Sequence, residues 1–165
     1  SAILVRITSE SYDLNMSTFA ENYKAATDEF LSVAENLNPA DLDRSDAEGW
    51  TPRQVIHHVA DSEAQSYARL RRLVAEPDTT IQGYDEGIWA ENQTLGYETA
   101  DPASSLAVFK AVRQSSYELI KRLTAADFLK TGTHTESGEY SVHTWLESYT
   151  NHPKDHANQI RNQLK

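Results

Sequence analysis

Apolar residues recur at helical spacing in four stretches of the chain, and neither internal repeats nor low-complexity segments interrupt them. The first stretch runs from about Ser17 to Asn38, with Phe19, Tyr23, Ala26, Phe30, Val33 and Leu37 along one side. A turn-rich connector, NPADLDRSDAEG, follows, with a short helical turn expected at Pro39–Asp43. The second stretch has the sharpest start, WTPRQV. Thr51 suits the N-cap, Pro52 the first helical position, Gln54 a capping box, and Trp50 can staple onto Val55. Its stripe is Ile56, Val59, Tyr67, Leu70 and Val74, and it ends near Glu76-Pro77. The third opens with Asp101 as cap and Pro102 after it, and carries Leu106, Phe109, Val112, Leu119 and Leu123. The fourth follows the turn HTESGEYS, takes Ser141 as its cap and reaches the C-terminus.

Link lengths then order these helices in space. Short links join antiparallel neighbours, whereas the link from helix two to helix three, about 25 residues, is long enough to return the chain to the same end of a bundle. An all-α four-helix bundle with up-down-down-up topology and a crossover between helices 2 and 3 is predicted; a plain up-down-up-down bundle with a large loop is the alternative.

With 165 residues, a chain can bury roughly 70% of the surface its unfolded form exposes. One domain over 1–165 is expected, with 1–16 as an N-terminal extension. Cysteine is absent, which excludes disulfides, thiolate nucleophiles and Cys-based zinc sites and suits a reducing compartment. No apolar run approaches the ~18 residues of a membrane span, and SAILVRITSE lacks the layout of a signal peptide. A cytoplasmic protein is expected. Fifteen basic residues against 25 acidic ones give a net charge of −10, which repels nucleic acid and anionic lipid. The cluster Arg69, Arg71 and Arg72 reads as a solvated helix face.

The distinctive chemistry lies in NHPKDHANQI, where His152 and His156 project from one helical face a turn apart. That face also carries Val142, Trp145, Leu146, Tyr149, Ile160 and Leu164, so both imidazoles point toward the bundle interior. There they need partners, because an unsatisfied buried polar group costs on the order of 1–3 kcal/mol. Hydrogen-bonded core histidines would meet that need; so would a metal. Helix two contains VIHHVADSE, and either His57 or His58 could supply a third imidazole from a facing helix. Helical phase alone does not choose between them. Three neutral imidazoles leave coordination positions open, the arrangement of a catalytic metal, and suit Zn²⁺ or Ni²⁺. Glu63 falls near the centre of the apolar stripe of helix two. There it reaches solvent at the bundle end, orients a metal-binding histidine or serves as a base. Pro153 removes one backbone bond between the paired histidines and predicts a kink near Tyr149.

Four segments, WTPRQVIHHVADSE, YDEGIW, TADPASSLAVF and HPKDHANQI, together resemble the DinB-like superfamily, and within it the YfiT-like group of metal-dependent hydrolases. The likeness covers about Gly49 to Ile160. It implies an up-down-down-up bundle, often a homodimer, holding nickel or zinc on three histidines, which correspond here to His58, His152 and His156. It also implies a small-molecule substrate, acted on by hydrolysis or, as in related thiol S-transferases, by joining a low-molecular-weight thiol to an electrophile. Asp85, Glu86 and Trp89 of the crossover are expected to border the substrate pocket, and Glu63 to assist catalysis. His134 and His143 are expected at the surface. A non-catalytic bundle that binds a metal or small ligand in a stress response is the alternative.

Overall fold

The computed structural model describes residues 9–45 and 49–165. In chain order its elements are α1 (Ser9–Ala34), α2 (Pro52–Ala75), β1 (Thr80–Ile81), α3 (Glu86–Glu91), α4 (Ala103–Arg122), α5 (Ala125–Phe128), β2 (Thr131–His134), β3 (Gly138–Ser141) and α6 (Val142–Gln163). The start signals act as their chemistry requires. Thr51 Oγ1 accepts from the Gln54 amide, and Gln54 Oε1 accepts from the Thr51 amide at 2.8 Å, closing the capping box of α2. Trp50 packs on the apolar cluster that contains Val55. The expected cap of α4 is displaced by one: Pro102 holds the N-cap position without a side-chain bond, and Asp101, just before it, accepts from the Ala103 amide at 2.8 Å. Ser141 Oγ accepts from the Thr144 amide at 3.0 Å and starts α6.

Side-chain contacts fix the direction of each long helix. Tyr117 meets Glu21 and Arg113 meets Thr27, so α4 runs antiparallel to α1. Phe19 lies by His143 and Glu29 pairs with Arg161, so α6 runs parallel to α1. His57 meets Ser105 and Arg71 meets Ser115, making α2 and α4 parallel neighbours. Trp145 bonds to Ser66 and His152 to His58, making α2 and α6 antiparallel. The result is the up-down-down-up four-helix bundle with its crossover between α2 and α4.

Three features differ from the sequence pattern. Helix α1 begins at Ser9 rather than near Ser17 and ends at Ala34 rather than Asn38. Residues 9–16 of the expected N-terminal extension therefore belong to it, whereas residues 1–8 lie outside the described residues. The helical turn after it is a 3-10 turn, Pro39–Asp41. The stretch HTESGEYS is not a bare turn but part of a hairpin, with β2 antiparallel to β3 and β1 added parallel to β2. Gly138 at its tip takes φ 83°, a left-handed value glycine adopts without strain. This sheet pins the start of the crossover. The third difference is in α4, which buries Phe109, Arg113, Ser116 and Ile120; of the expected stripe Phe109 and Leu123 are buried, while Leu106, Val112 and Leu119 are half-buried. An arginine among buried positions hides the true face from a purely apolar pattern.

Gly132 of β2 sits where a Cβ would lie 2.5 Å from the Thr79 carbonyl oxygen. Gly132→Ala must displace backbone, so it is expected to cost about 1–3 kcal/mol in urea melts.

The core divides into two apolar clusters. One gathers Tyr23, Leu70, Leu73, Ile120, Trp145 and Leu146; the other gathers Phe30, Val55, Ile56, Val59, Phe109, Ala157 and Ile160. Between them along α2 and α4 lie Glu63 and Arg113, fully buried and paired at 2.9 Å. Among the described residues no helix is long and apolar enough to cross a membrane.

Candidate metal centre

Both histidines of the HH pair are buried, but they turn different ways. His57 is occupied: its Nε2 faces the Ala100 carbonyl at 2.9 Å, and its Nδ1 faces Ser105 Oγ at 2.7 Å. Since a carbonyl only accepts, the proton sits on Nε2 and Nδ1 accepts from the serine. His58, one residue on, points to α6. Its Nε2 lies 3.1 Å from His152 Nε2, and His156 Nε2 lies 3.0 Å from that same atom. The ligand atoms of His58, His152 and His156 all fall within 4.8 Å of one another.

Hydrogen bonding cannot satisfy this cluster from within. The Nε2 of His152 carries either one N–H or one lone pair, yet two other imidazole nitrogens face it. A cation can accept a lone pair from all three. Two nitrogens sharing one ion, at about 2.0–2.1 Å each, can be at most roughly 4.2 Å apart, and both measured separations fall inside that. Charge state agrees. Burial first, and neighbouring His156 second, push the pKa of His58 down to about 4. Burial, then His156, His58 and Arg113, push that of His152 down to about 2. Burial also lowers His156, against a raising hydrogen bond from Gln159. Three neutral imidazoles near neutral pH are what a metal site requires.

Gln159 Oε1 lies 2.7 Å from His156 Nδ1. As an acceptor it holds the proton on Nδ1 and leaves the Nε2 lone pair directed into the cluster. The Nδ1 atoms of His58 and His152 are buried without a hydrogen-bond partner among the described residues. Trp50 covers His58, with ring centroids 4.8 Å apart. Its carbonyl accepts from Gln163 of α6, tying both ends of the site together.

The depressed pKa values also predict a pH response in the metal-free protein. Below the unfolded value near 6.5, unfolded histidines take up protons that folded His58 and His152 refuse. Stability is thus full above that pH and falls as pH drops toward about 4, where His58 begins to protonate when folded. Chelator-treated protein melted at stepwise pH values checks this, and a flat profile from pH 7 to 4 contradicts it.

The other expected site residues separate. Glu86, at the start of α3, brings Oε2 to 4.0 Å from His58 Nε2. Burial, then the neighbouring Asp85 and Glu136, raise its pKa. Asp85 caps α3, accepting from the Ile88 amide at 3.0 Å. Trp89 packs tilted against Tyr84, ring centroids 4.7 Å apart, and lines a groove of about 710 Å³ along α2 with Asp61, Gln65, Arg69 and Gln82. Glu63 is engaged elsewhere. Its oxygens accept from Arg113 and from Ser66, each at 2.9 Å, and none of its hydrogen bonds reaches an imidazole, so the expected base or histidine anchor is a buried ion-pair partner. The arginine cluster is a solvated face only at Arg72, which is exposed beside Glu76; Arg69 donates to Tyr149 Oη and the Gln82 carbonyl, and Arg71 to Ser115. His143 is exposed against Phe19 and Phe128, and half-buried His134 accepts from the Glu136 amide.

Two residues beside the triad were not anticipated. Gln159 is legible afterwards as a polar residue three places beyond a ligand. Arg113 lies at helical spacing between Phe109, Ser116 and Ile120, a phase that marks it as interior.

Known proteins resemble this chain in sequence and fold. A protein of Oceanobacillus iheyensis named "putative metal-dependent hydrolase" is 36% identical over 133 residues, 79% of this chain and 74% of its own length. One of the same name from Bacillus cereus is 30% identical over 155 residues, 93% and 86% of the two chains. The structure of YfiT from Bacillus subtilis, described as "a probable metal-dependent hydrolase with an unusual four-helix bundle topology", superposes with a TM-score of 0.82. It is 26% identical, and the match covers 99% of this chain and 91% of that one. Residues 22–160 match the DinB superfamily. By this match, and by the bundle and histidine cluster that accompany it, the chain belongs to the DinB superfamily.

Proposed function

We propose that the protein is a metal-dependent enzyme acting on a small molecule, with His58, His152 and His156 as the ligands of a Zn²⁺ or Ni²⁺ ion. The observation that carries this reading is the meeting of three neutral imidazole Nε2 atoms, two of them 3.1 and 3.0 Å from the third. Such an ion supplies Lewis acidity, lowering the pKa of a water or of a small thiol so that a nucleophile exists near neutral pH. The reaction is accordingly hydrolysis or transfer of a low-molecular-weight thiol to an electrophile.

The protein's own groups complete the task. Gln159 holds the His156 tautomer. Glu86 reaches the open side of the cluster from the crossover, and its raised pKa suits a base that takes a proton from the nucleophile and returns it to the leaving group. The groove between α2 and Trp89 is lined by none of the three histidines; its Asp61 lies one helical turn beyond His58, so a substrate held at the cluster could extend toward it.

Two measurements test the reading. Untagged protein should carry close to one Zn²⁺ or Ni²⁺ per chain by elemental analysis; a metal-free preparation that also ignores both added ions overturns it. Loaded protein should then turn over a compound in a panel of esters, amides and thiol-plus-haloaromatic pairs, with the rate abolished by chelation. No metal-dependent rate in any of them identifies a binder instead. Glu86→Gln is expected to keep the metal and lower kcat by about 100-fold, and an unchanged kcat removes Glu86 from the mechanism.

A further inference from the structure

Pro153 lies between two of the three ligands and has no amide proton, so the Tyr149 carbonyl four residues earlier loses its helical donor. The sequence predicts a break there. Yet α6 is continuous from Val142 to Gln163, and His152 and His156 keep their nitrogens 3.0 Å apart. The missing donor comes from another helix: Arg113 Nη1 of α4 donates to the Tyr149 oxygen at 2.7 Å.

The rest of that guanidinium is fixed as firmly. Nη1 also meets Glu63 Oε1 at 2.9 Å, Nε donates to Thr27 Oγ1 at 2.7 Å, and Nη2 donates to the Tyr23 carbonyl at 2.8 Å. Its Cζ lies 3.5 Å from the Tyr23 ring centre. Glu63 is itself held by Ser66 Oγ at 2.9 Å. One buried side chain therefore links all four long helices and meets α6 one turn before His152.

We propose that Arg113, oriented by Glu63, is a positioning residue of the metal centre. By supplying the donor that Pro153 lacks, it keeps the turn carrying His152 in helical register, so that this imidazole meets both His58 and His156. The proposal rests on the three histidines being the metal ligands, and its test separates the two ideas. A mere core tie costs stability when cut, whatever residue stands at 153. A positioning role couples Arg113 to position 153, because Pro153→Ala restores an amide proton to the Tyr149 carbonyl.

The experiment compares wild type, Pro153→Ala, the paired variant Glu63→Gln/Arg113→Met, and the combination of all three changes. The pair removes both charges and so leaves no unpaired ion. Calorimetry with Ni²⁺ and with Zn²⁺ should show the pair binding at least tenfold more weakly, the scale of losing an outer support of a metal ligand. Adding Pro153→Ala should bring affinity back to within about threefold of Pro153→Ala alone. Imidazole ¹⁵N shifts of the metal-free proteins give a second readout. Those of His152 should move in the pair and return in the triple variant, while those of His57, held by Ser105 and Ala100, stay in place. A pair that binds as wild type does, or a deficit that Pro153→Ala does not relieve, overturns the proposal. If the pair does not fold, Arg113→Lys takes its place with the same rescue required. If wild type takes up neither ion, the metal assignment fails, and the His152 shifts alone decide the role of Arg113.

Discussion

His152→Ala is expected to weaken Zn²⁺ or Ni²⁺ binding by more than about 100-fold. Losing an outer support costs roughly 10- to 100-fold in affinity, and a direct ligand that contacts both of the others should cost more. The imidazole Nε2 of His152 lies within 3.1 Å of both His58 and His156, so its loss leaves the two remaining rings without their common neighbour. The fold should survive. In chelator the variant should melt close to wild type at pH 7 and be the more stable of the two at pH 5, because it no longer buries a ring held neutral against protonation. His156→Ala should lose the metal in the same way. Elemental analysis and calorimetry check both, and a variant that retains stoichiometric metal removes His152 from the ligand set.

Arg113→Met alone should be the most damaging single change in the core, lowering stability by about 3–5 kcal/mol. It strands the Glu63 carboxylate at zero exposure and leaves the Tyr23 and Tyr149 carbonyls without this donor. For a chain of this length, that corresponds to a fall in Tm of roughly 10 °C. The added change Glu63→Gln should recover much of it by removing the stranded charge, although the Tyr149 carbonyl still lacks a donor, whereas that of Tyr23 keeps the Thr27 hydroxyl. Urea and thermal melts of the single and paired variants measure the difference, and a single variant within 1 kcal/mol of wild type, on the order of a typical surface change, would contradict the burial argument.

Fold and ligand set differ in how far the chain announces them. Caps at Thr51 and Ser141 are local chemistry between residues at most three apart, so α2 and α6 begin where their side chains require, while Asp101 acts from one place before the Pro102 cap of α4. The length of the link favours a crossover over a plain up-down-up-down bundle, and the contacts between helices decide it. What binary patterning misses is the interior of α4, because it scores Arg113 as surface; its partner Glu63 already stands out at the centre of the α2 stripe, and the two are buried as a pair. His57 and His58 differ for a similar reason. Neighbours on one helix point roughly 100° apart, but both of these lie well off the apolar stripe, and the partners that separate them, Ala100 and Ser105 on one side and His152 on the other, are tens of residues away. The β2–β3 hairpin escapes notice because its strands are four residues each, too short for alternation to stand out.

Topology has a kinetic corollary. Because His58 and His152 stand 94 positions apart along the chain, the complete binding geometry exists only after the last helix docks. A nascent chain that has yet to release its C-terminal segment holds one imidazole of the three and has little hold on an ion. With the proposed ligands, metal capture would be a late event that rewards finished molecules by mass action and would not nucleate their assembly.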